Sequence, residues 1–153
     1  MLQKVVDNLN ARSDHTAIKA ADGKVTYGQL ANLVAGYQSQ LPKYDTGDNN
    51  LFVLYAHQNI ETYAAILAIV FSGYGFVPVS KDDPTERIAE IVDLTGNPSI
   101  LTTKKARPIG LETKNLDHFI KTKNNKVVGN KTHDDQIACI LFTSGTTGKP
   151  KGV

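Results

Sequence analysis

The chain has 153 residues, of which 41% are hydrophobic and 21% charged, and its formal net charge is +2. This length and apolar content suffice for one domain with a substantial core. The nearly balanced charge argues against a nucleic-acid-binding protein and against a polybasic membrane-binding protein. A single cysteine, Cys139, excludes a disulfide framework and suits a reducing cytoplasm.

Membrane and metal signals are also missing from the sequence. The N-terminus carries charges throughout and lacks the apolar block of a signal peptide. The longest apolar run, residues 63–72, is too short to span a bilayer. We therefore expect a cytoplasmic protein without membrane insertion. The histidines show no metal-ligand spacing and the carboxylates form no recognisable pair, so no metal site is expected.

The first part of the chain predicts two helices separated by short strands. Apolar residues at helical spacing indicate a helix over residues 2–12. Short strands are expected around Ile18 and Val25. Thr26 is followed three residues later by Gln29, which is the pattern of a capping box and predicts the start of a second helix.

Strands and helices alternate in the middle of the chain. An apolar strand over residues 51–55 precedes a helix over residues 60–72, for which Asn59 is the expected cap. Residues 76–79 form a further strand. Pro78 removes one hydrogen-bond donor from that strand, which predicts an irregular or edge position.

A third repetition of this pattern follows. Asp83 is the expected cap of the next helix, with Pro84 at its first position and Glu86 completing a capping box. The helix ends before Gly96, and a strand follows at residues 100–101. This alternation predicts parallel βαβ units, and therefore an α/β fold with a largely parallel sheet flanked by helices.

The stretch over residues 102–135 has the weakest pattern. A short helix is expected around residues 116–120. The basic, Asn-rich run over residues 121–131 is expected to be a solvated loop, because charged runs of this length usually are.

The strongest signal lies in the last 17 residues, IACILFTSGTTGKPKGV. The apolar run over residues 137–142 predicts a buried strand that contains Cys139 as an inert thiol. The next ten residues include three glycines, four hydroxyl-bearing residues and two lysines, but no large apolar side chain. Gly145, Gly148 and Gly152 can take positive φ and let backbone N–H groups approach a ligand. Such a composition predicts a phosphate-binding loop.

Two familiar phosphate-binding patterns do not fit this loop. The P-loop of NTPases needs four residues between its glycines, whereas Gly145 and Gly148 are separated by two. The dinucleotide fingerprint needs a glycine where Thr143 stands. A Gly/Ser/Thr hairpin turn without a ligand remains as the plain structural alternative.

The segment FTSGTTGKPKGV does resemble the signature of the adenylate-forming ligases, which reads aromatic-Thr-Ser-Gly-Thr-Thr-Gly-x-Pro-Lys-Gly-Val. Two other segments, VTYGQL and SGYGFVPVSKDDPTERI, resemble the first and second core motifs of amino-acid-activating adenylation domains in the same family. The second motif departs at Ser80, where the family usually has an acidic residue. We interpret this second motif as packing and not as chemistry.

The resemblance implies both an activity and a binding site. Adenylate-forming ligases join a carboxylate to ATP with Mg²⁺, release pyrophosphate, and pass the acyl group from acyl-AMP to a thiol of a carrier protein or coenzyme A. Hydroxyls of the loop would donate to the β- and γ-phosphates, its glycines would let it fold over them, and Lys151 would supply charge. Lys149 stands at the variable position of the signature. The implied phosphate-binding set is Thr143, Ser144, Gly145, Thr146, Thr147, Gly148 and Lys151.

The same resemblance implies that residues 1–153 are the N-terminal part of an AMP-binding (adenylation) domain, which ends just after the phosphate-binding loop. No catalytic residue of the family falls within the chain, and we expect the chain alone to be inactive. The second motif is more similar to the amino-acid-activating branch than to the fatty-acid branch. The short spacing between motifs is similar to that of D-alanine–carrier protein ligases, and peptide-synthetase adenylation domains come next. An acyl-CoA synthetase and a non-catalytic, truncated interaction module remain as alternatives. Aromatic interleaving for nucleic acid is absent.

Overall fold

The computed structural model describes residues 2–103, 110–116, 126–129, 136–144 and 150–153. Within these ranges the α-helices are α1 (Leu2–Ala11), α2 (Tyr27–Gln38), α3 (Ile60–Phe71) and α4 (Thr85–Leu94). The strands are β1 (Thr16–Ala20), β2 (Gly23–Thr26), β3 (Leu51–Ala56), β4 (Gly75–Ser80), β5 (Ile100–Thr102), β6 (Thr113–Asn115), β7 (Phe142–Ser144) and β8 (Pro150–Gly152).

A parallel sheet with the strand order β4-β3-β5-β6 forms the centre of the fold. Helix α3 connects β3 to β4, and α4 connects β4 to β5. The apolar residues of α1, α2 and α3 share one core with Phe52, Leu54 and Leu101. Those of α4 pack with Val53 and Val77 on the opposite face. The predicted α/β fold with βαβ units is therefore confirmed.

Strand β3 has the longest run of buried residues in this sheet. Its first five residues, LFVLY, are all buried, because helices cover both faces of the sheet and neighbouring strands cover both edges of β3. This explains why its sequence is continuously apolar and does not alternate with polar residues. Strand β4 pairs with it in an unbroken register from Leu51 opposite Gly75 to Ala56 opposite Ser80.

The predicted caps of α2 and α3 are confirmed. The backbone N–H of Gln29 donates to Thr26 Oγ1 over 3.2 Å, and the N–H of Thr26 donates to Gln29 Oε1 over 2.9 Å. Both bonds satisfy amides that the first turn of a helix leaves unpaired. At α3, the N–H of Thr62 donates to Asn59 Oδ1 over 3.1 Å.

The start of α4 differs from the prediction. Pro84 stands at the N-cap position with extended backbone, and no side chain caps this helix. Asp83 instead accepts a hydrogen bond of 2.7 Å from the N–H of Ser80 and lies 3.6 Å from the guanidinium of Arg87. The predicted capping box is wrong because the carboxylate of Asp83 closes the preceding turn, which begins at the position where the second motif departs from the family pattern.

Pro78 lies in a regular strand at the edge of the four-stranded sheet, opposite Leu54. The predicted edge position is confirmed, and the predicted irregularity is not found. The neighbouring Phe76 directs its N–H and C=O away from β3. Because groups alternate along a strand, the missing N–H of Pro78 falls on that same outer side and costs the β3–β4 pairing nothing.

Two amide side chains hold the segment 126–129 against the helices. Asn10 Nδ2 donates to the carbonyl of Val127, and the N–H of Val127 donates to Asn10 Oδ1, each over 3.2 Å. Gln38 forms the same reciprocal pair with Val128, at 2.7 and 3.2 Å. Val127 is only 3% exposed. The prediction of a solvated loop is therefore wrong for Val127.

Leu116 is also buried, directly after β6. The rest of the predicted short helix, residues 117–120, lies outside the described residues. Among the helices that the structure describes, none has the length and apolar character needed to cross a bilayer.

Replacing Asn10 with Ala should release the segment 126–129. The change leaves the buried backbone groups of Val127 without a partner, at a cost of about 1–3 kcal/mol. We expect at least roughly tenfold faster hydrogen exchange at the Val127 amide, measured by NMR. Asn8→Ala, at an exposed position of the same helix, is the matched control. Unchanged exchange in the Asn10 variant would show that the amide pair does not hold the segment.

Candidate phosphate-binding hairpin

The segment that leads into the glycine-rich loop lies beside β4, on the side opposite β3. The N–H of Phe76 donates to the carbonyl of Ala138 over 3.1 Å, and the N–H of Ile140 donates to the carbonyl of Phe76 over 3.0 Å. These bonds form an isolated parallel bridge between Phe76 and Cys139. The segment therefore runs in the same direction as the central sheet.

Gly75 permits the close approach of this segment. A Cβ atom at Gly75 would lie 2.5 Å from the carbonyl oxygen of Ile137 and 2.6 Å from Leu51 Cδ2. Both distances are shorter than real Cβ contacts. Gly75 belongs to the second core motif, so the structure supports the interpretation of that motif as packing. It adds that the packing partner is the segment that carries the loop.

The predicted buried strand over residues 137–142 is only partly correct. Ile137 and Leu141 are 53% and 57% exposed, and Cys139 is half-buried. The pairing with β4 covers one edge of the segment, and among the described residues no helix covers the faces of Ile137 and Leu141. Beyond Phe76, the next outward-facing position of β4 is Pro78, which has no N–H to offer Ile140. The segment accordingly leaves β4 there and continues into β7.

Strands β7 and β8 form an antiparallel hairpin around the loop. Thr143 lies opposite Lys151, and Phe142 lies opposite Gly152. Reciprocal hydrogen bonds between Leu141 and Val153, of 3.0 and 2.9 Å, extend the pairing by one residue. Because the incoming segment runs parallel to β4, it heads toward the carboxyl edge of the sheet before it enters β7. Ligands of open α/β sheets bind at this edge.

The hairpin has one packed face and one open face. Pro150 is buried and Phe142 is half-buried, and Phe142 packs on the α4 side of the sheet with Ile140. Thr143 and Lys151 are both exposed. Since directly opposite residues of an antiparallel pair point to the same face, the hydroxyl and the ammonium group emerge side by side.

The structure therefore brings together Thr143 and Lys151 of the predicted set. Ser144 follows on β7, opposite Pro150. Gly145, Thr146, Thr147 and Gly148 lie outside the described residues. The ion pairs found among the described residues do not include Lys151, so within this part of the chain its charge is not neutralised by a carboxylate.

Gly152 differs from the sequence-based expectation. It is not among the described glycines with positive φ. A Cβ at this position would instead lie 2.9 Å from Ile140 Cγ2 and 3.3 Å from Phe142 Cζ. Gly152 thus does not use the positive φ that the sequence would allow it, and the contacts at this position favour a small residue beside Ile140 and the Phe142 ring.

The single thiol lies close to this hairpin. Burial raises the pKa of the Cys139 thiol above its ordinary value. Cys139 lines a cavity of about 730 Å³ between the segment and the end of α4, together with Leu94, Thr95 and Phe142. No group of three or more His, Cys, Asp or Glu side chains suited to hold a metal ion occurs in the described parts of the chain.

A family comparison identifies the chain. The model of the AMP-binding enzyme family matches residues 5–153. The chain belongs to this family. Its fold is that of the N-terminal subdomain of adenylate-forming enzymes, as the sequence motifs predicted.

Relatives of this AMP-binding chain include large synthetases. Bassianolide nonribosomal cyclodepsipeptide synthetase from Beauveria bassiana (strain ARSEF 2860) is 28% identical over 159 residues, which cover 98% of the chain. The chain spans only 5% of the length of that synthetase.

Two solved structures show how well the fold agrees. Holo-PA1221 is a nonribosomal peptide synthetase protein with adenylation and PCP domains, bound to a vinylsulfonamide inhibitor. It has a TM-score of 0.74 and 25% identity, over 99% of this chain and 27% of its own. The AMPPNP-bound form of the synthetase FmoA3 has a TM-score of 0.78 and 25% identity, over 100% of this chain and 17% of its own.

The sequence signature locates the loop but not the residues that support it. Gly75 and Pro78 stand in a motif that indicates packing, and only the structure shows that the loop-bearing segment contacts β4 at Gly75 and separates from it at Pro78. The sequence signal was present in the spacing Gly75-Phe76-Val77-Pro78, but its partner lies more than 60 residues further along the chain. The contact of Phe142 with β8 likewise could not be predicted without the register of the hairpin.

The raised pKa of Cys139 predicts slow alkylation. A thiol that keeps its proton to a higher pH supplies less thiolate at pH 8, and the thiolate is the reactive form. We expect iodoacetamide to react several times more slowly with the folded chain than with the chain in urea, with rates followed by mass spectrometry and the urea sample as internal control. Equal rates in the two conditions would contradict the burial of this thiol.

Proposed function

We propose that this chain carries the pyrophosphate-binding loop of an adenylate-forming ligase. The observation that carries the proposal is the geometry of the hairpin. Thr143 and Lys151 lie side by side on an open face of the hairpin, and the segment that leads to them runs toward the carboxyl edge of a parallel sheet. A loop with a hydroxyl donor and a cation at this edge is suited to the oxygens of a polyphosphate.

The chemistry of adenylation explains why this set of groups is useful. A carboxylate must approach the α-phosphate of a strongly negative nucleotide, and pyrophosphate must leave with additional charge. Donors that already point at the departing oxygens stabilise that charge without having to reorganise. We assign this role to Thr143, Ser144, Thr146 and Thr147, with Gly145 and Gly148 allowing the loop to approach the phosphates.

Lys151 has a separate role in this proposal. Its ammonium group is a point charge on a flexible stem, so it can follow the pyrophosphate as the latter departs. Mg²⁺ enters with ATP as the metal–nucleotide complex. The described residues near the hairpin offer hydroxyls but no carboxylate cluster, so we assign the coordination of the ion on this side to the phosphate oxygens.

We further propose that residues 1–153 are the front part of a longer AMP-binding domain and that they are inactive alone. The relatives that align over nearly the whole chain are much longer than it. Beyond the loop, an adenylating enzyme also needs pockets for adenine, ribose and the carboxylate. We assign no catalytic residue to this chain.

For the substrate we propose an amino acid, with D-alanine favoured, and for the acceptor the thiol of a carrier protein. The second core motif and the short spacing between motifs support the amino-acid-activating branch. Holo-PA1221 joins adenylation and PCP domains in one protein, which supports a carrier-protein acceptor over coenzyme A. A reducing cytoplasm, which keeps such a thiol free, is the proposed location.

Replacing Lys151 with Ala should impair the first half-reaction. In the complete enzyme that contains this chain, we expect ATP–pyrophosphate exchange to fall about 100-fold, because a cation aimed at developing charge is lost. Lys149→Ala is the matched control, since it removes the same charge at the variable position and should leave most of the activity. An equal loss of activity in both variants would show that only the total positive charge of the loop matters. No loss in the Lys151 variant would refute the role of Lys151.

The substrate is tested by the same exchange assay with different carboxylates. We expect D-alanine to support exchange by the complete enzyme more strongly than L-amino acids or fatty acids. The isolated 153-residue chain should support none. Preference for a fatty acid would place the enzyme among acyl-CoA synthetases, and activity of the isolated chain would overturn the assignment of residues 1–153 as an incomplete domain.

A further inference from the structure

We infer that Gly152 is a positioning residue of the phosphate-binding hairpin, which acts through the space that it leaves for Ile140 and Phe142. This inference rests on the proposed function for its effect on nucleotide binding. The claim that a side chain at position 152 would disturb the hairpin does not depend on that function, because it follows from the contacts of Gly152 alone. It replaces the expectation that glycine at this position serves backbone flexibility.

Although Gly152 is exposed, two neighbouring side chains come closer to it than an ordinary Cβ contact allows. A Cβ would lie 2.9 Å from Ile140 Cγ2, and 3.3 and 3.5 Å from Cζ and Cε1 of Phe142. The Cγ2 methyl is attached to the β-carbon of Ile140, so it moves only when the whole side chain rotates about its Cα–Cβ bond. An added methyl group must therefore displace Ile140, the ring of Phe142 or the strand.

The register explains why these three residues meet. Phe142 lies directly opposite Gly152, and Ile140, two residues before Phe142, points to the same face. This face packs against the core that includes Ile88 and Ile91 of α4. The edge of the Phe142 ring thus lies against the place that a side chain at position 152 would take.

The two faces of the hairpin connect this packing to the site. Lys151 directly precedes Gly152 and points to the other face, next to Thr143. If β8 moves away from Ile140 and Phe142, Lys151 moves with it, and so does the end of the loop at Pro150. A displacement of about 1 Å at a binding group is enough to lower activity by roughly two orders of magnitude.

The test is a rescue experiment. Gly152→Ala should accelerate hydrogen exchange at the Leu141 and Val153 amides, which close the hairpin, by about tenfold or more. It should weaken the binding of MgATP to the complete enzyme by a similar factor. Adding Ile140→Leu and Phe142→Leu removes the Cγ2 methyl and the ring, and should restore both measurements to within about threefold of the protein that carries only the two Leu substitutions.

The outcomes separate the inference from the proposed function. Rescue of both measurements supports the positioning role. Failure of the Leu substitutions to restore hydrogen exchange overturns it, because glycine would then be needed for its backbone. If the unsubstituted enzyme binds no MgATP, the proposed function fails, while the exchange rates still decide the packing at Gly152. If exchange is rescued but ATP affinity never changes in an enzyme that binds ATP, the positioning role is refuted.

Gly152→Ala could prevent folding, and a reciprocal variant covers this outcome. Phe142→Trp leaves Gly152 intact and overfills the same space from the opposite strand. It should accelerate exchange at the same two amides, with unchanged exchange in α2 on the other face of the sheet. Normal protection of both amides in the Trp variant would show that this space is not tightly filled, which contradicts the inference.

Discussion

The pairing of residues 138–140 with Phe76 is the interaction on which the candidate site depends. Two backbone hydrogen bonds attach the incoming segment to β4, and they set its direction parallel to the central sheet. The exit point of the loop, the face to which Thr143 and Lys151 point, and the packing of Phe142 all follow from that attachment. The residues on either side of the attachment shape it through groups that they lack. Gly75 has no side chain to keep the segment away, and Pro78 has no backbone N–H with which to extend the pairing.

The two faces of the hairpin differ: one is packed against the protein and the other is accessible to a ligand. The face of the hairpin that includes Phe142 and Pro150 is packed toward α4, so the strands cannot pivot freely. The opposite face bears Thr143 and Lys151 and remains open to solvent. In the proposed function, a polyphosphate would meet Thr143 and Lys151 on a backbone that is held in place, without first displacing protein atoms. Such preorganisation is what electrostatic stabilisation of a leaving group requires.

Local signals predicted the helices α1–α4 and the strands β1–β5 well because they act over a few residues. The capping box at Thr26 and the continuous apolar run of β3 are examples, and both are present in the structure. Predictions failed where a specific side-chain partner decides the outcome, whether that partner is near or distant in the chain. Asp83 closes a turn with Ser80 and leaves α4 uncapped, and Val127 is buried because Asn10, 117 residues earlier in the chain, pairs with its backbone.

The candidate site shows the same division. Composition alone predicted a phosphate-binding loop between Thr143 and Lys151, because small, hydroxyl-bearing and cationic residues have few other uses together. The role of Gly152 could not be read from composition, since a glycine that needs space and a glycine that needs positive φ look alike in a sequence. Only the cross-strand register, which places it opposite Phe142, distinguishes them.

The cavity beside the hairpin has a consequence for the handling of the chain. The cavity is lined by three largely exposed apolar residues, Leu94, Ile137 and Val153. This side of the molecule therefore exposes apolar surface to solvent. Salts such as ammonium sulphate strengthen the hydrophobic association of exposed apolar surfaces. The isolated chain should therefore bind tightly to phenyl resins and precipitate at low concentrations of ammonium sulphate. Low-salt buffers should keep it monomeric.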